Sequence, residues 1–171
     1  MSDAPPPATR VEPPLRGDEA STLHAFLDFH RETLLWKIGG LTDEQLRLHA
    51  VPASNLTLLG LVRHMAEVER SWFADICGLD TTWIYCTEDN RDGDFDDVAG
   101  ADVQADLATY HAEVAKYRKA LADLPLDTVK HGRRGRDFSL RWILCHMIEE
   151  YARHNGHADL LRETIDGATG E

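Results

Sequence analysis

From Ser139 to Gly167 the chain runs without a proline, with apolar residues at helical spacing, a hydroxyl cap in front and a glycine stop behind. A helix of that length must lay its apolar stripe against other elements. The remaining sequence offers more helices for that purpose. In "EASTLHAFLDFHRETLLWKIGG", Leu23, Phe26, Leu27, His30, Leu34 and Ile38 recur every three or four positions until Gly39 and Gly40 stop the run. Thr42 and Gln45 form a capping-box pattern for a short helix. A second long helix is expected from Leu58 to Cys77, capped by Thr57 and ended by Gly78. A third carries Val103, Leu107, Tyr110, Val114, Tyr117 and Leu121, with Pro125 as its stop. No segment alternates convincingly, so the expected fold is all-α: a four-helix bundle with an extra short helix.

Two stretches fall outside this pattern. Residues 79–100 lack a sustained period, are rich in aspartate and read as a long acidic loop. "KHGRRGRD", residues 130–137, reads as a compact basic loop before the last helix. Five of the seven prolines fall within the first eighteen residues, so residues 1–17 are expected to be an extended lead-in and 18–171 the folded bundle. A net charge of −12 argues against a nucleic-acid backbone as the main partner. Cys77, Cys86 and Cys145 form no CxxC pair, which excludes cysteine-rich structural zinc. With no apolar leader and no apolar run near the ~18 residues of a membrane span, a cytoplasmic, soluble protein is expected.

The informative anomaly lies in "HMIEEYARHNGHADLLRE", residues 146–163, where ionisable groups sit among core-spaced apolar ones. On a wheel with His146 at zero, Glu150 falls at about 40°, His154 at about 80° and His157 at about 20°. On that reading Glu150 and His154 lie inside the stripe, His146 and His157 flank its edge, and Glu149 is solvated. His64 shares a side of its helix with Leu61, Val68 and Trp72. Three inward groups from two helices suit either a metal site with an open position or satisfied core residues.

"GLVRHMAEVERSWF" together with "SLRWILCHMIEEYARHNGHADLLRE" resembles the DinB-like superfamily of four-helix metalloproteins. The likeness is to the branch near mycothiol-dependent maleylpyruvate isomerase and the mycothiol S-transferases. The common pattern has one histidine on the second helix and an H-x-x-x-H pair on the last. Here Glu150 replaces the first histidine of that pair and His154 keeps the second, while His157 stands where glutamine is usual. The resemblance implies a metal held by His64, Glu150 and His154, with Zn²⁺ favoured and Ni²⁺, Fe²⁺ or Mn²⁺ able to use the same donors. It also implies a low-molecular-weight thiol such as mycothiol as cosubstrate, and a small electrophile as substrate. Conjugation of the two would make a transferase; addition followed by elimination would make an isomerase. A homodimer follows by the same analogy.

Secondary roles stay open. His146 and His157 are candidates for steadying a ligand or carrying a proton, or are edge-of-core residues. His30 could approach the site or fill the core. Cys77 and Cys145 read as small core residues. Arg133, Arg134 and Arg136 could contact an anionic cosubstrate; alternatively the basic loop pairs with Asp92, Asp94, Asp96 and Asp97. Trp36, Trp72 and Trp142 read as core anchors, whereas Trp83 could cover a pocket or meet a dimer seam.

Overall fold

A computed structural model describes residues 10–131 and 136–169. In chain order the elements are α1 (Glu19–Ile38), α2 (Asp43–Leu46), α3 (Leu58–Ile76), α4 (Gly93–Asp96), α5 (Val103–Leu121), β1 (Val129–His131), β2 (Asp137–Ser139) and α6 (Leu140–Asp166). Among the described residues the architecture is an all-α bundle with one small hairpin. Helix α1 packs on α6, α3 on α5, and contact between α3 and α6 joins the two pairs.

The ends form where the local chemistry demands. Asp18, Thr57 and Ser139 each accept a backbone N–H from the first turn of α1, α3 and α6 respectively. Thr42 and Gln45 complete the capping box reciprocally. Gly167 closes α6 in the left-handed region, at φ 76°, where a Cβ would be strained.

The interior contains a polar tie among its apolar residues. Arg31 of α1 donates from Nε and Nη2 to the two oxygens of Glu69 on α3, at 2.8 and 2.7 Å. The Tyr151 hydroxyl of α6 donates to Glu69 Oε1 at 2.8 Å, and Tyr110 of α5 meets Tyr151 at 3.1 Å. All four side chains are almost wholly buried. Burial alone would favour a neutral guanidine, but the Glu69 carboxylate holds the Arg31 pKa above its ordinary value. Four helices thus share one hydrogen-bonded layer. The stripe expected on α1 is corrected accordingly: Arg31 lies inside between Leu27 and Leu34, while Phe26 is 43% exposed.

The 79–100 segment is no plain acidic loop. It contains α4 and is fastened to α3 at two points. Arg63 donates to the carbonyls of Asp94 and Gly93, both at 3.0 Å, and to Asp106 at 3.1 Å. Glu67 accepts the backbone N–H groups of Ile84 and Tyr85 at 2.9 and 2.8 Å. Phe95 then packs on α3 over Gly60, where a Cβ would come within 2.7 Å of its ring. Gly60→Ala is therefore expected to destabilise the fold by about 1–3 kcal/mol, although alanine is the better helix former. Chemical denaturation measures this, and an unchanged or raised midpoint would contradict the close packing.

The basic stretch also differs from a simple loop. Strands β1 and β2 pair antiparallel in the register Val129↔Ser139 and Lys130↔Phe138, and three-residue strands are too short to show alternation in sequence. Lys130 is held to α3, with Nζ 3.3 Å from the Ser71 carbonyl and 5.5 Å from the Trp72 ring centroid. Trp142 is no core anchor, being 45% exposed beside Phe138. Trp36 and Trp72 are half-buried, and Trp83 is 38% exposed.

Candidate metal centre

Helices α3 and α6 bring His64, Glu150 and His154 together. Each offers one ligand atom, and these atoms all lie within 4.8 Å of one another. All three side chains are half-buried rather than sealed in the core. The buried set of α6, which includes Leu140, Leu144, Met147, Tyr151, Ala158 and Leu161, explains this. It centres the apolar stripe at about 120° on the wheel, so Glu150 and His154 occupy its edge. The side chains therefore sit at the margin of the bundle, each partly open to solvent.

Each donor is steadied by a neighbour. His64 Nδ1 lies 2.7 Å from Asp94 Oδ2, and its ring lies 5.1 Å from that of Phe95. His154 turns Nε2 toward Glu150 Oε2 at 3.6 Å and Nδ1 toward His157 Nδ1 at 3.4 Å. His146 places Nε2 3.3 Å from Glu150 Oε1. Its ring stacks on Trp142 at 5.0 Å and meets Trp72 edge-on at 4.4 Å. Burial, followed by the nearby His64 and His157, pushes the His154 pKa down to about 4. Its imidazole is consequently neutral at pH 7, the form a metal ion requires.

The donor set fits a divalent cation. Two ligand atoms on a tetrahedral zinc lie roughly 3.3–3.6 Å apart, and the His154–Glu150 pair stands at 3.6 Å. Two imidazoles and one carboxylate leave a coordination position open, as sites that bind a substrate do.

The family model described as Mycothiol-S-transferase matches residues 22–167. This chain belongs to that family. The match spans every donor above and begins just inside α1. The sequence resemblance to the mycothiol S-transferase branch is thereby confirmed. Comparison with the curated proteins and with the solved structures returns no match.

Other residues singled out from the sequence of this mycothiol S-transferase family member are placed as follows. His146 and His157 lie against Glu150 and His154 respectively. His30 does not join them. It lines a cavity of about 460 Å³ between α1 and α6 with Asn155 and Gly156, which project from the other side of α6. Arg133 and Arg134 lie outside the described residues, and Arg136 is exposed next to β2. Asp94 is buried against His64 and so is not a counter-charge for the basic loop. Cys145 is exposed, not a core residue, and Cys77 is half-buried. Burial raises the Cys77 thiol pKa, and burial with the Asp94 charge lifts Cys86 to about 11, so both thiols stay protonated at neutral pH. No described helix is long and apolar enough to cross a membrane.

No local pattern marks Asp94 as a partner of His64, because thirty residues separate them. The only local hint is the glycine before Asp94, which permits a tight backbone approach: a Cβ at Gly93 would come within 2.6 Å of the Tyr85 carbonyl oxygen.

Proposed function

We propose that this protein is a metal-dependent thiol S-transferase, with His64, Glu150 and His154 holding a divalent cation, Zn²⁺ first among the candidates. The convergence of those three donors carries the reading, and membership of the mycothiol S-transferase family supplies the thiol. When bound, such a cation lowers the pKa of a thiol into the neutral range, where its sulfur is nucleophilic. Addition of the thiol across an electrophilic double bond, sulfur to one carbon and the thiol proton to its neighbour as the π bond breaks, gives a thioether; if elimination then returns the free thiol, the outcome is isomerisation.

The chain's own residues bind and orient. His146 sets Nε2 3.3 Å from one oxygen of Glu150, which leaves the other oxygen for the cation. His154 pairs its Nδ1 with Nδ1 of His157 at 3.4 Å, which leaves Nε2 to face the cation. The aromatic series Phe138, Trp142, Trp72 and His146 forms a wall leading from the hairpin to Glu150. Arg136, exposed beside β2, together with Arg133 and Arg134, which lie outside the described residues, are the proposed contacts for an anionic group on the cosubstrate.

The test is a titration of zinc-loaded protein, purified without a histidine tag, with mycothiol in weakly buffered solution at pH 7. A free thiol with a pKa near ~8.5 is mostly protonated there, so binding of its thiolate releases about one proton per site. The metal-free protein should release none. Equal proton uptake or release with and without metal would remove the thiol from the site.

A further inference from the structure

The ring of His64 has a built partner. Asp94 is 3% exposed, and its Oδ2 lies 2.7 Å from His64 Nδ1. Its position is set from behind by α3 itself. Arg63, the residue before His64, grips the Gly93 and Asp94 carbonyls at 3.0 Å and lies 4.1 Å over the Tyr85 ring. One turn further, Glu67 holds the Ile84 and Tyr85 backbone. Gly93 leaves no room for a side chain beneath Tyr85. The same helix therefore carries the ligand and anchors the segment that carries its partner, which fixes the distance between them.

An ionised carboxylate only accepts hydrogen bonds, so the ring facing it must present Nδ1–H. That leaves the lone pair on Nε2. His154 shows the matching arrangement, with Nδ1 occupied by His157 and Nε2 turned to Glu150. In free solution neither the ring orientation nor the tautomer would be fixed, and a ligand free to rotate loses entropy on binding.

We propose that Asp94 is the positioning residue of the metal centre. Its carboxylate locks the His64 ring with Nδ1 protonated and Nε2 directed at the cation shared with Glu150 and His154. This inference rests on the reading that those three residues hold a cation. It adds to that reading a fourth residue, drawn from the 79–100 segment rather than from the long helices, and it assigns that segment a role in metal affinity.

The experiment compares wild type, Asp94→Asn, Asp94→Ala and His64→Ala, each untagged and stripped of metal. Zn²⁺ affinity is measured by competition with a chromophoric chelator. The tautomer of His64 is read from long-range ¹H–¹⁵N correlations on the metal-free proteins. Wild type should show the Nδ1–H form, and Asp94→Ala should shift toward Nε2–H and bind Zn²⁺ about 10–100-fold more weakly. Asp94→Asn keeps the volume and an accepting oxygen but not the charge, so it should fall in between; if the alanine variant does not fold, the asparagine variant decides. Wild-type affinity together with an unchanged tautomer in the variants would overturn the role of Asp94 while leaving the metal reading intact. Failure of wild type to bind Zn²⁺ at all would overturn both.

Discussion

If the proposed site holds zinc, wild type purified from cells without a tag should carry one Zn²⁺ per chain, and His64→Ala and His154→Ala are each expected to lose it, and thiol transfer with it. The affinity loss should exceed ~100-fold, because even residues that merely steady a ligand cost about 10–100-fold when removed. Loss of one imidazole leaves two protein donors from a set in which all three lie within 4.8 Å. Proton competition does not account for such a loss at pH 7. The His154 pKa is already held down at about 4, chiefly by burial, so this ring stays neutral until the pH approaches that value. Because the side chains are only half-buried, the metal-free variants should remain folded, with stability within about 1 kcal/mol of metal-free wild type. Elemental analysis and chelator competition, with far-ultraviolet circular dichroism as the folding control, check this. Full zinc occupancy in both variants would dismantle the assigned site.

The second large effect concerns stability alone. Glu69→Ala removes the acceptor of two Arg31 hydrogen bonds and of the Tyr151 hydroxyl, leaving a guanidinium buried without its carboxylate. Breaking a buried pair from one side costs about 3–5 kcal/mol. In a domain of this size that corresponds to a Tm lower by roughly 10 °C. The remaining partner, Asp28, accepts from Arg31 Nη1 at 2.9 Å but is itself partly exposed, so it cannot replace Glu69. The double variant Arg31→Met with Glu69→Leu should recover most of the loss, since a buried ion pair replaced by apolar side chains is often neutral or better. Denaturant melts of the two single variants and the double variant test this. A Glu69→Ala protein as stable as wild type would show that the four-helix polar layer contributes nothing.

Local features could be read from the sequence, and distant pairings could not. Thr42, Thr57 and Ser139 cap helices because a side-chain oxygen two or three residues ahead of a free N–H finds it without help from the rest of the chain. Glu150 and His154 share a helix face for the same local reason. The spacing of its apolar neighbours puts His64 on the inward side of its helix, which makes it a candidate to meet Glu150 and His154; the family resemblance favours a metal site over satisfied core residues. Arg31 and Glu69 are thirty-eight positions apart and Tyr151 is eighty-two from Glu69, so no window of sequence reveals that they form one layer. A wheel that takes Ile143, Met147, Leu161 and Ile165 as the α6 stripe centres it too close to Glu150, because Leu140, Leu144, Tyr151, Asn155 and Ala158 are buried further round. Trp142 was assigned to the core by its residue type, whereas the hairpin leaves one face of it to solvent.

Neighbouring positions of α6 answer to different constraints. Glu150 faces His64 and His154, while Tyr151, about 100° around the axis, ends on Glu69 in the dry interior. A helix turns as a unit, so any roll that drew Glu150 away from His64 would drag the phenol off its acceptor in the same motion. Opening the cradle by moving that rod is therefore penalised by the scaffold, and adjustment to ligands of different size falls to side-chain swings.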